Sequence, residues 1–159
     1  MSNYSIQMPD SLDVVKDEQS FGTFVLQPME RGFGVTIGNS FRRVLLSSLP
    51  GTAITAIKIS GVDHEYSSIE GVKEDVYEII LNFKQVRFKQ VEQSSGVIHL
   101  TKKGGEVLTA GDIDAATAEY DVLNPDLVIA NLADDADLEI ELRVGRGRGY
   151  VPAEEMTLE

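Results

Sequence analysis

The sequence lacks cysteine, and this absence limits the chemistry that the chain can support. Without thiols it forms no disulfide bonds and offers no thiolate ligands to a metal ion, which fits a reducing compartment but does not require one. No apolar run approaches the roughly 18 residues of a membrane span, and the N-terminus has neither the basic start nor the apolar segment of a signal peptide. We therefore expect a soluble, cytoplasmic protein with no membrane partner.

Basic residues are also scarce, with 14 lysines and arginines against 26 aspartates and glutamates and a formal net charge of −12. Phosphate backbones repel such a chain as a whole, so we expect no direct contact with DNA. The acidic balance is compatible with a basic partner surface but does not identify the partner. The 159 residues suffice for one domain, or two small ones, with a sizeable core.

The most informative stretch is Met29–Gly51, where a glycine-rich turn leads into a short amphipathic helix that Pro50 ends. Thr36 and Asn39 are candidate caps at the start of this helix. At about 100° per residue, one apolar stripe contains Ile37, Phe41, Val44, Leu45 and Leu49. The stripe predicts a hydrophobic partner for one side of the helix.

Two residues of this helix do not fit packing on one side only. Leu46 is apolar but lies just beyond the stripe, and Arg43 stands among small side chains, opposite the stripe with Ser40 and Ser47. A stripe at helical spacing is usually core, and an arginine beside serines is usually solvated. Two contact surfaces on one helix would explain both exceptions.

The rest of the chain has one further helical pattern and otherwise reads as short strands. Residues 1–20 lack steady periodicity and are expected to be irregular, before strands at Phe21–Met29 and Thr52–Ser60. In the second strand we expect two faces, with Thr55, Ile57 and Ile59 on one and Ile54, Ala56 and Lys58 on the other. A second helix is predicted from a single stripe of Val72, Val76, Ile79, Ile80 and Phe83.

Every segment beyond that helix has the pattern of a strand. The predicted strands are Gln85–Glu92, Val97–Thr101, Glu119–Leu123, Leu127–Leu132 and Leu138–Val144. The last alternates apolar and charged residues, which is typical of an antiparallel sheet with one face in water.

No residue pattern predicts a catalytic, cofactor or metal site. His64 beside Glu65 lacks a second histidine at metal-binding spacing, and Asp134–Asp137 lacks the glycine and the glutamate of a calcium loop. Ser47 and Ser48 have no G-x-S-x-G frame, which excludes the nucleophile elbow. A hydrolase that uses some of the many carboxylates is an alternative, although no spacing supports it.

One basic cluster has an aromatic residue beside it, namely Arg146, Arg148 and Tyr150. Guanidinium groups with a tyrosine can stack on bases and bind phosphates, so a small nucleic-acid-binding module is the other alternative. Two arginines are few against a net charge of −12, which favours a strand end that is solvated or packs under another protein segment.

The segment Glu30–Gly51, ERGFGVTIGNSFRRVLLSSLPG, is similar almost position by position to the signature of the N-terminal domain of bacterial RNA polymerase alpha subunits. The resemblance continues in the same order through four further segments. These are GVDHEYSSIEGVKEDVYEIILNFK (Gly61–Lys84), LTAGDI (Leu108–Ile113), LNPDLVIANL (Leu123–Leu132) and GRGRGYVPA (Gly145–Ala153). It therefore extends from about Phe21 to Ala153.

The resemblance implies an assembly scaffold rather than a catalyst. In this family two alpha chains dimerise, and the dimer is the platform on which the beta and beta-prime subunits assemble for DNA-templated transcription. By resemblance, Phe33, Ile37 and Val44 belong to the dimer interface, while Arg43 and its neighbour Leu46 contact the beta subunit. No cofactor, metal or catalytic residue is implied for this chain, because nucleotidyl transfer belongs to the assembled enzyme.

The resemblance also implies an α+β fold in two parts. Residues 1–51 would form the first half of a dimerisation subdomain, a strand plus the amphipathic helix. Residues 52–153 would form a β-rich insert with one helix and mainly antiparallel strands, and residues 154–159 a tail. Because the family pattern continues with return segments after this point, we expect an incomplete dimerisation subdomain, less firmly folded than the insert.

Overall fold

A computed structural model describes residues 6–18, 21–90 and 96–156 of the chain. These residues fall into two compact units. The terminal unit contains the described residues up to Leu49 together with those from Gly149 onward, and the central unit contains those from Pro50 to Arg148. No helix in these three ranges combines the length and the apolar character needed to cross a membrane.

In its described residues the terminal unit contains two paired strands, one long helix and a short 3-10 helix. Strands β1 (Ser11–Glu18) and β2 (Phe21–Gln27) pair antiparallel, helix α1 spans Phe33–Ser47, and the 3-10 helix is Ala153–Glu155. The predicted strand at Phe21–Met29 is confirmed by β2. The irregular structure expected over residues 1–20 is wrong for Ser11–Glu18, which form β1. The sequence pattern did not indicate this strand, because the register of the β1–β2 ladder shifts between Val14 and Lys16 and the alternation of apolar and polar residues is interrupted there.

Helix α1 starts earlier than its capping residues predicted. Gly32, with φ of 95°, is the N-cap, and its left-handed backbone suits glycine alone among common residues. Thr36 and Asn39 lie inside the helix, so their assignment as caps is wrong. The end was predicted correctly, because the backbone N–H of Ser48 closes the last turn on the Val44 carbonyl at 2.9 Å and Pro50 begins the next strand.

The central unit contains two helices and seven strands in its described residues. In chain order these are β3 (Pro50–Ile59), α2 (Val76–Phe83), β4 (Phe88–Gln90), β5 (Val97–Lys103), β6 (Val107–Thr109), α3 (Ala110–Ala116), β7 (Tyr120–Val122), β8 (Val128–Asn131) and β9 (Asp137–Arg148). The long β9 lies between β3 and β5 in one antiparallel sheet, and β4 pairs with β7 and β6 with β8. This confirms the α+β class with antiparallel strands.

The faces predicted for β3 are wrong for the half of the strand that begins at its N-terminal end. The ladder shifts register between Ile54 and Ala56, so Thr55 is an extra residue and the alternation changes phase there. Ile54 pairs with Val144 and Ile57 with Leu142, and both isoleucines pack against the core. Directly paired residues share a face, which places Ile54 on the same side as Ile57 rather than opposite it.

Helix α2 is confirmed but shorter than its stripe. Val72 precedes it and forms an isolated bridge with Leu132, and Asp75 is the N-cap. Glu74, just before the cap, accepts hydrogen bonds from the backbone N–H (2.7 Å) and Nδ2 (2.5 Å) of Asn131. The segment before α2 is thereby attached to β8 instead of continuing the helix.

The sequence patterns did not predict β6 and α3. Thr109 caps α3, and the Asp112 carboxylate accepts hydrogen bonds from the Thr109 backbone N–H (2.7 Å) and hydroxyl (3.3 Å). This is a capping box with aspartate in place of glutamate. Thr-x-x-Asp before a short apolar run was the available signal, but only two side chains of α3, Ala110 and Ile113, are buried, too few for a helical stripe.

The core of the described chain lies in the central unit. It joins the inner faces of the β3–β9–β5 sheet, α2, α3 and the short ladders. The side chains with under 2% exposure and the largest volumes are Ile79, Leu108, Ile113, Ile129, Ile140 and Leu142. The boundaries expected at residues 51/52 and 153/154 stay predictions, and residues 157–159 of the expected tail lie outside the described part of the chain.

Candidate functional site

Helix α1 presents its apolar side chains to solvent. None of its side chains is buried, and Phe33, Phe41 and Val44 are 36%, 55% and 49% exposed. Ile37 is half-buried. With 3.6 residues per turn, these four residues lie within an arc of about 80° on the helix. The helix therefore brings together Phe33, Ile37 and Val44, which the resemblance assigned to a dimer interface.

The opposite side of α1 carries a second, smaller apolar patch. Leu46 and Val35 are 64% and 75% exposed, and helical geometry places them about 20° apart and roughly opposite Ile37. Arg42 and Arg43 lie on either side of them. Sequence reasoning did not identify Val35, although its spacing of eleven residues, close to three turns, from Leu46 was the available signal.

The two arginines of α1 have unused donors. Within the described ranges, neither Arg42 nor Arg43 forms a side-chain hydrogen bond or an ion pair. The neighbouring serines instead bond back to the helix, from Ser40 Oγ to the Thr36 carbonyl at 2.9 Å and from Ser47 Oγ to the Arg43 carbonyl at 2.6 Å. Serine hydroxyls satisfied in this way leave the guanidinium groups as the polar groups available to a partner.

The arginines near the end of β9 lie on one strand face. Arg146 pairs with Thr52 and Arg148 with Pro50, and alternate residues of a strand point to the same side. Both are exposed. Tyr150, 84% exposed, belongs to the terminal unit rather than to this strand. The ladder therefore brings together the two arginines of the nucleic-acid alternative.

The described residues contain no cluster of three or more histidine, aspartate or glutamate side chains that could hold a metal ion. His64 Nδ1 lies 3.1 Å from the Ser67 hydroxyl, a local contact within one loop. In the described part of the chain, neither a set of metal ligands nor a nucleophile with a base is assembled around His64.

The perturbed pKa values of the central unit have structural causes. Lys102 Nζ lies 2.8 Å from Asp112 Oδ1 and 2.9 Å from Glu106 Oε2, and these hydrogen bonds raise the pKa of Lys102. Partial burial opposes ionisation of Asp112, but the bonds from Lys102 and Thr109 outweigh it and lower the pKa. Burial of Glu74 is likewise outweighed by its bonds from Asn131, which lower its pKa. All three groups hold elements together.

Comparison with known proteins gives consistent matches. Residues 57–159 match the sequence model of the family described as RNA polymerase Rpb3/RpoA insert domain. The chain is 60% identical over 155 residues to a DNA-directed RNA polymerase subunit alpha of Salinibacter ruber, covering 98% of this chain and 47% of that protein.

Two other relatives have the same name. The protein of Chloroherpeton thalassium is 55% identical over 94% of this chain and 46% of its own length, and that of Prosthecochloris aestuarii is 56% identical over 96% and 47%. The chain thus spans about half the length of the curated relatives it matches. These names do not favour the nucleic-acid-binding module.

Proposed function

This chain belongs to the bacterial RNA polymerase alpha-subunit family, and we propose that it is a non-catalytic assembly scaffold of that enzyme. It dimerises with a second alpha chain and binds the beta and beta-prime subunits, so that the complex that transcribes DNA can form. It works in the cytoplasm without cofactor or metal. Its net charge of −12 disfavours a direct contact with the DNA.

One observation carries this proposal, namely the exposure of two opposite apolar patches on α1. Exposed apolar patches that are bounded by polar residues mark sites of protein association. Arg42 separates the two patches on one side of α1, and Arg43, Ser40 and Ser47 separate them on the other side. A helix that presents two such patches can contact two partners at once, which is what a scaffold requires.

The larger patch is the proposed dimer surface, with Phe33, Ile37 and Val44 at its centre. A dimer places the same patch of both copies against each other, so each apolar side chain contributes twice. Fully burying a phenylalanine, isoleucine or valine contributes about 1.5–3 kcal/mol relative to exposure. Two copies of a surface of this size therefore supply a substantial part of an association free energy.

The smaller patch is the proposed contact with the beta subunit, through Arg43 and Leu46. The planar guanidinium of Arg43 has five donors and can form a bidentate contact with a carboxylate, which a lysine cannot reproduce. Leu46 supplies the apolar surface beside it. A beta-subunit site with a carboxylate or carbonyl next to an apolar pocket would be complementary to this pair.

Co-purification with an intact bacterial beta subunit tests this assignment. We expect the wild-type chain to retain beta and Arg43→Ala or Leu46→Ala to lose most of the bound beta. Arg146→Ala and Leu123→Ala, which remove an exposed arginine and an exposed leucine from the central unit, serve as matched controls and should bind as wild type. Failure of a well-formed wild-type dimer to bind beta would contradict the role of Arg43.

Light scattering tests the dimer surface separately. Val44→Asp introduces a charge into the larger patch, so we expect a loss of dimer. Val35→Asp places the same charge on the opposite side of α1 and should leave the dimer intact. Equal effects of the two substitutions would contradict a dimer interface centred on Phe33, Ile37 and Val44.

A further inference from the structure

Two exposed tyrosines in the central unit form a stacked pair. The rings of Tyr66 and Tyr77 have centroids 6.2 Å apart and an interplanar angle of 11°, and the residues are 79% and 49% exposed. Tyr77 lies on α2, which is anchored by the buried Val76, Ile79 and Phe83. Large aromatic side chains held rigidly at a surface are typical anchors of protein interfaces.

Carboxylates without a hydrogen-bond or ion-pair partner lie near both tyrosines along the chain. Between Asp63 and Glu78 the chain has six acidic residues and a single lysine, Lys73. Glu74 is occupied by its hydrogen bonds from Asn131. In the described part of the chain the other five form no side-chain hydrogen bond or ion pair; these are Asp63, Glu65, Glu70, Asp75 and Glu78. The aromatic surface therefore lies in a region of uncompensated negative charge.

A cleft lies next to both tyrosines along the chain. It has a volume of about 270 Å³ and an apolar lining that includes Ile57, Val76 and Ile80. Asp63 and Glu65 also line it, against one cation, Lys58. Glu65 and Val76, which line the cleft, immediately precede Tyr66 and Tyr77. The cleft and the tyrosine pair are therefore built from the same two segments of the chain. The space accommodates one aliphatic side chain of a bound segment.

We propose that the tyrosine pair and this cleft bind an arginine-bearing, basic segment of a partner protein. A guanidinium lies over a tyrosine ring, Glu65 and Glu78 balance its charge, and a neighbouring aliphatic side chain enters the cleft. Arginine suits this site better than lysine, because its planar group stacks on aromatic rings and is more weakly hydrated. A nucleic acid does not suit it, because five unpaired carboxylates repel phosphates. The proposal is independent of the surfaces of α1, which belong to the terminal unit.

A titration of the isotope-labelled 159-residue chain with a short peptide tests the proposal. The probe is acetylated, amidated Gly-Arg-Leu-Arg-Leu-Arg-Gly, with a second peptide that has lysine at each arginine position. We expect the ring signals of Tyr66 and Tyr77 to shift on binding of the arginine peptide. The lysine peptide should bind several-fold more weakly, since it keeps the charge but loses the stacking of the planar group.

Variants of the chain locate the site. The double substitution Tyr66→Ser with Tyr77→Ser should weaken binding of the arginine peptide about tenfold. Tyr150→Ser, at a tyrosine that is 84% exposed in the terminal unit, should leave it unchanged. Glu65→Gln with Glu78→Gln should weaken binding and reduce its dependence on salt. All these positions are exposed, and unchanged backbone amide signals elsewhere establish that each variant is folded.

Three outcomes would overturn the proposal. One is the absence of shifts at the tyrosine pair with millimolar peptide, and another is equal binding by the double tyrosine variant. The third is equal affinity for the arginine and lysine peptides, which indicates diffuse attraction to an acidic surface. Arg43→Ala should leave peptide binding unchanged, because Arg43 belongs to the surface proposed for the beta subunit and not to the tyrosine pair. Failure of the peptide site is thereby distinguished from failure of the scaffold assignment.

Discussion

The two units of the described chain use similar apolar side chains in opposite ways. Among the described residues, every buried hydrophobic one lies between Ile59 and Val144 in the central unit, including Leu142 at 0% exposure in the middle of a sheet. In the terminal unit Leu45 and Leu46 are 60% and 64% exposed on α1. Apolar content alone therefore does not distinguish the core of this chain from its surfaces.

Helices α1 and α2 make the same point more directly. Both have an apolar stripe at helical spacing, and both were predicted from it. The stripe of α2 packs on β8 and the neighbouring core, whereas that of α1 is open to solvent. Periodicity predicts which side of a helix packs, and the partner has to be found elsewhere. For α1 we propose that the partner is another polypeptide.

The largest expected contrast comes from truncating one leucine in each unit. Leu142→Ala removes a fully buried side chain from β9 and should lower the free energy of unfolding by about 2–5 kcal/mol. Leu45→Ala, at an exposed position, should change it by no more than about 0.5 kcal/mol. Urea unfolding followed by circular dichroism in dilute solution measures both. A cost for Leu45→Ala as large as that for Leu142→Ala would remove the distinction between the units.

A glycine contact in the central unit should give the next largest effect. A Cβ at Gly104 would lie 2.3 Å from the Ala133 carbonyl oxygen and 2.5 Å from backbone atoms of Asp134. Because backbone cannot give way cheaply, Gly104→Ala should cost about 1–3 kcal/mol in unfolding experiments. Gly147→Ala is the control, since nothing lies within 4 Å of its Cβ position. A neutral effect of Gly104→Ala would mean that the two turns are not in close contact.

Two ion pairs with equal distances should differ in strength between the units. Lys102 and Asp112 are 2.8 Å apart at 17% and 29% side-chain exposure, whereas Lys16 and Glu18 are 2.8 Å apart at 52% and 58%. Asp112→Asn also weakens the cap of α3 and should cost about 1–2 kcal/mol at neutral pH. Glu18→Gln should have almost no effect, because exposed pairs contribute little.

The pH dependence of the Lys102–Asp112 pair follows from the directions of its pKa shifts. The lowered pKa of Asp112 gives stability that is complete above its unfolded value of about 4 and is lost as the pH falls through the folded value. The raised pKa of Lys102 gives stability that is complete below about 10 and is lost as the pH rises through the folded value. In unfolding experiments at decreasing pH, the free energy of unfolding of Asp112→Asn should fall less than that of the wild type, because the contribution of the Asp112 carboxylate is already absent. An equal fall in both proteins would contradict this.

The sequence was sufficient for the elements that have a long regular pattern. Helices α1 and α2 and strand β9 were predicted from periodicity, because each repeats its pattern over at least two turns or three alternations. Strand β2 was predicted from a shorter alternation of Phe24 and Leu26 with Thr23 and Val25. The wrongly assigned strand faces and the missed helix have local causes. The bulge at Thr55 inverted one half of β3, and α3 is stabilised by a capping box and two buried residues rather than by a stripe.

The candidate site was predictable in its chemistry but not in its full extent. Ile37 and Val44 follow from the stripe, whereas Phe33 and the dimer-interface role proposed for all three come from the family resemblance. Val35 did not stand out, because a second patch with one residue at each end of a helix has no local periodicity. The tyrosine pair was beyond sequence reasoning altogether, since Tyr66 and Tyr77 meet only when a loop folds back on α2.

A small gain of stability is expected within the terminal unit. Gly38 lies inside α1 with nothing within 4 Å of its Cβ position, so Gly38→Ala should stabilise the helix by about 0.5–1 kcal/mol. Slower amide hydrogen exchange of α1 in dilute protein measures this gain. Gly32→Ala is the contrasting substitution, because φ of 95° at the N-cap makes alanine unfavourable there. A faster exchange of α1 in Gly38→Ala would mean that another segment approaches this face of the helix closely. In that case α1 would not be the open surface that distinguishes the terminal unit from the central unit.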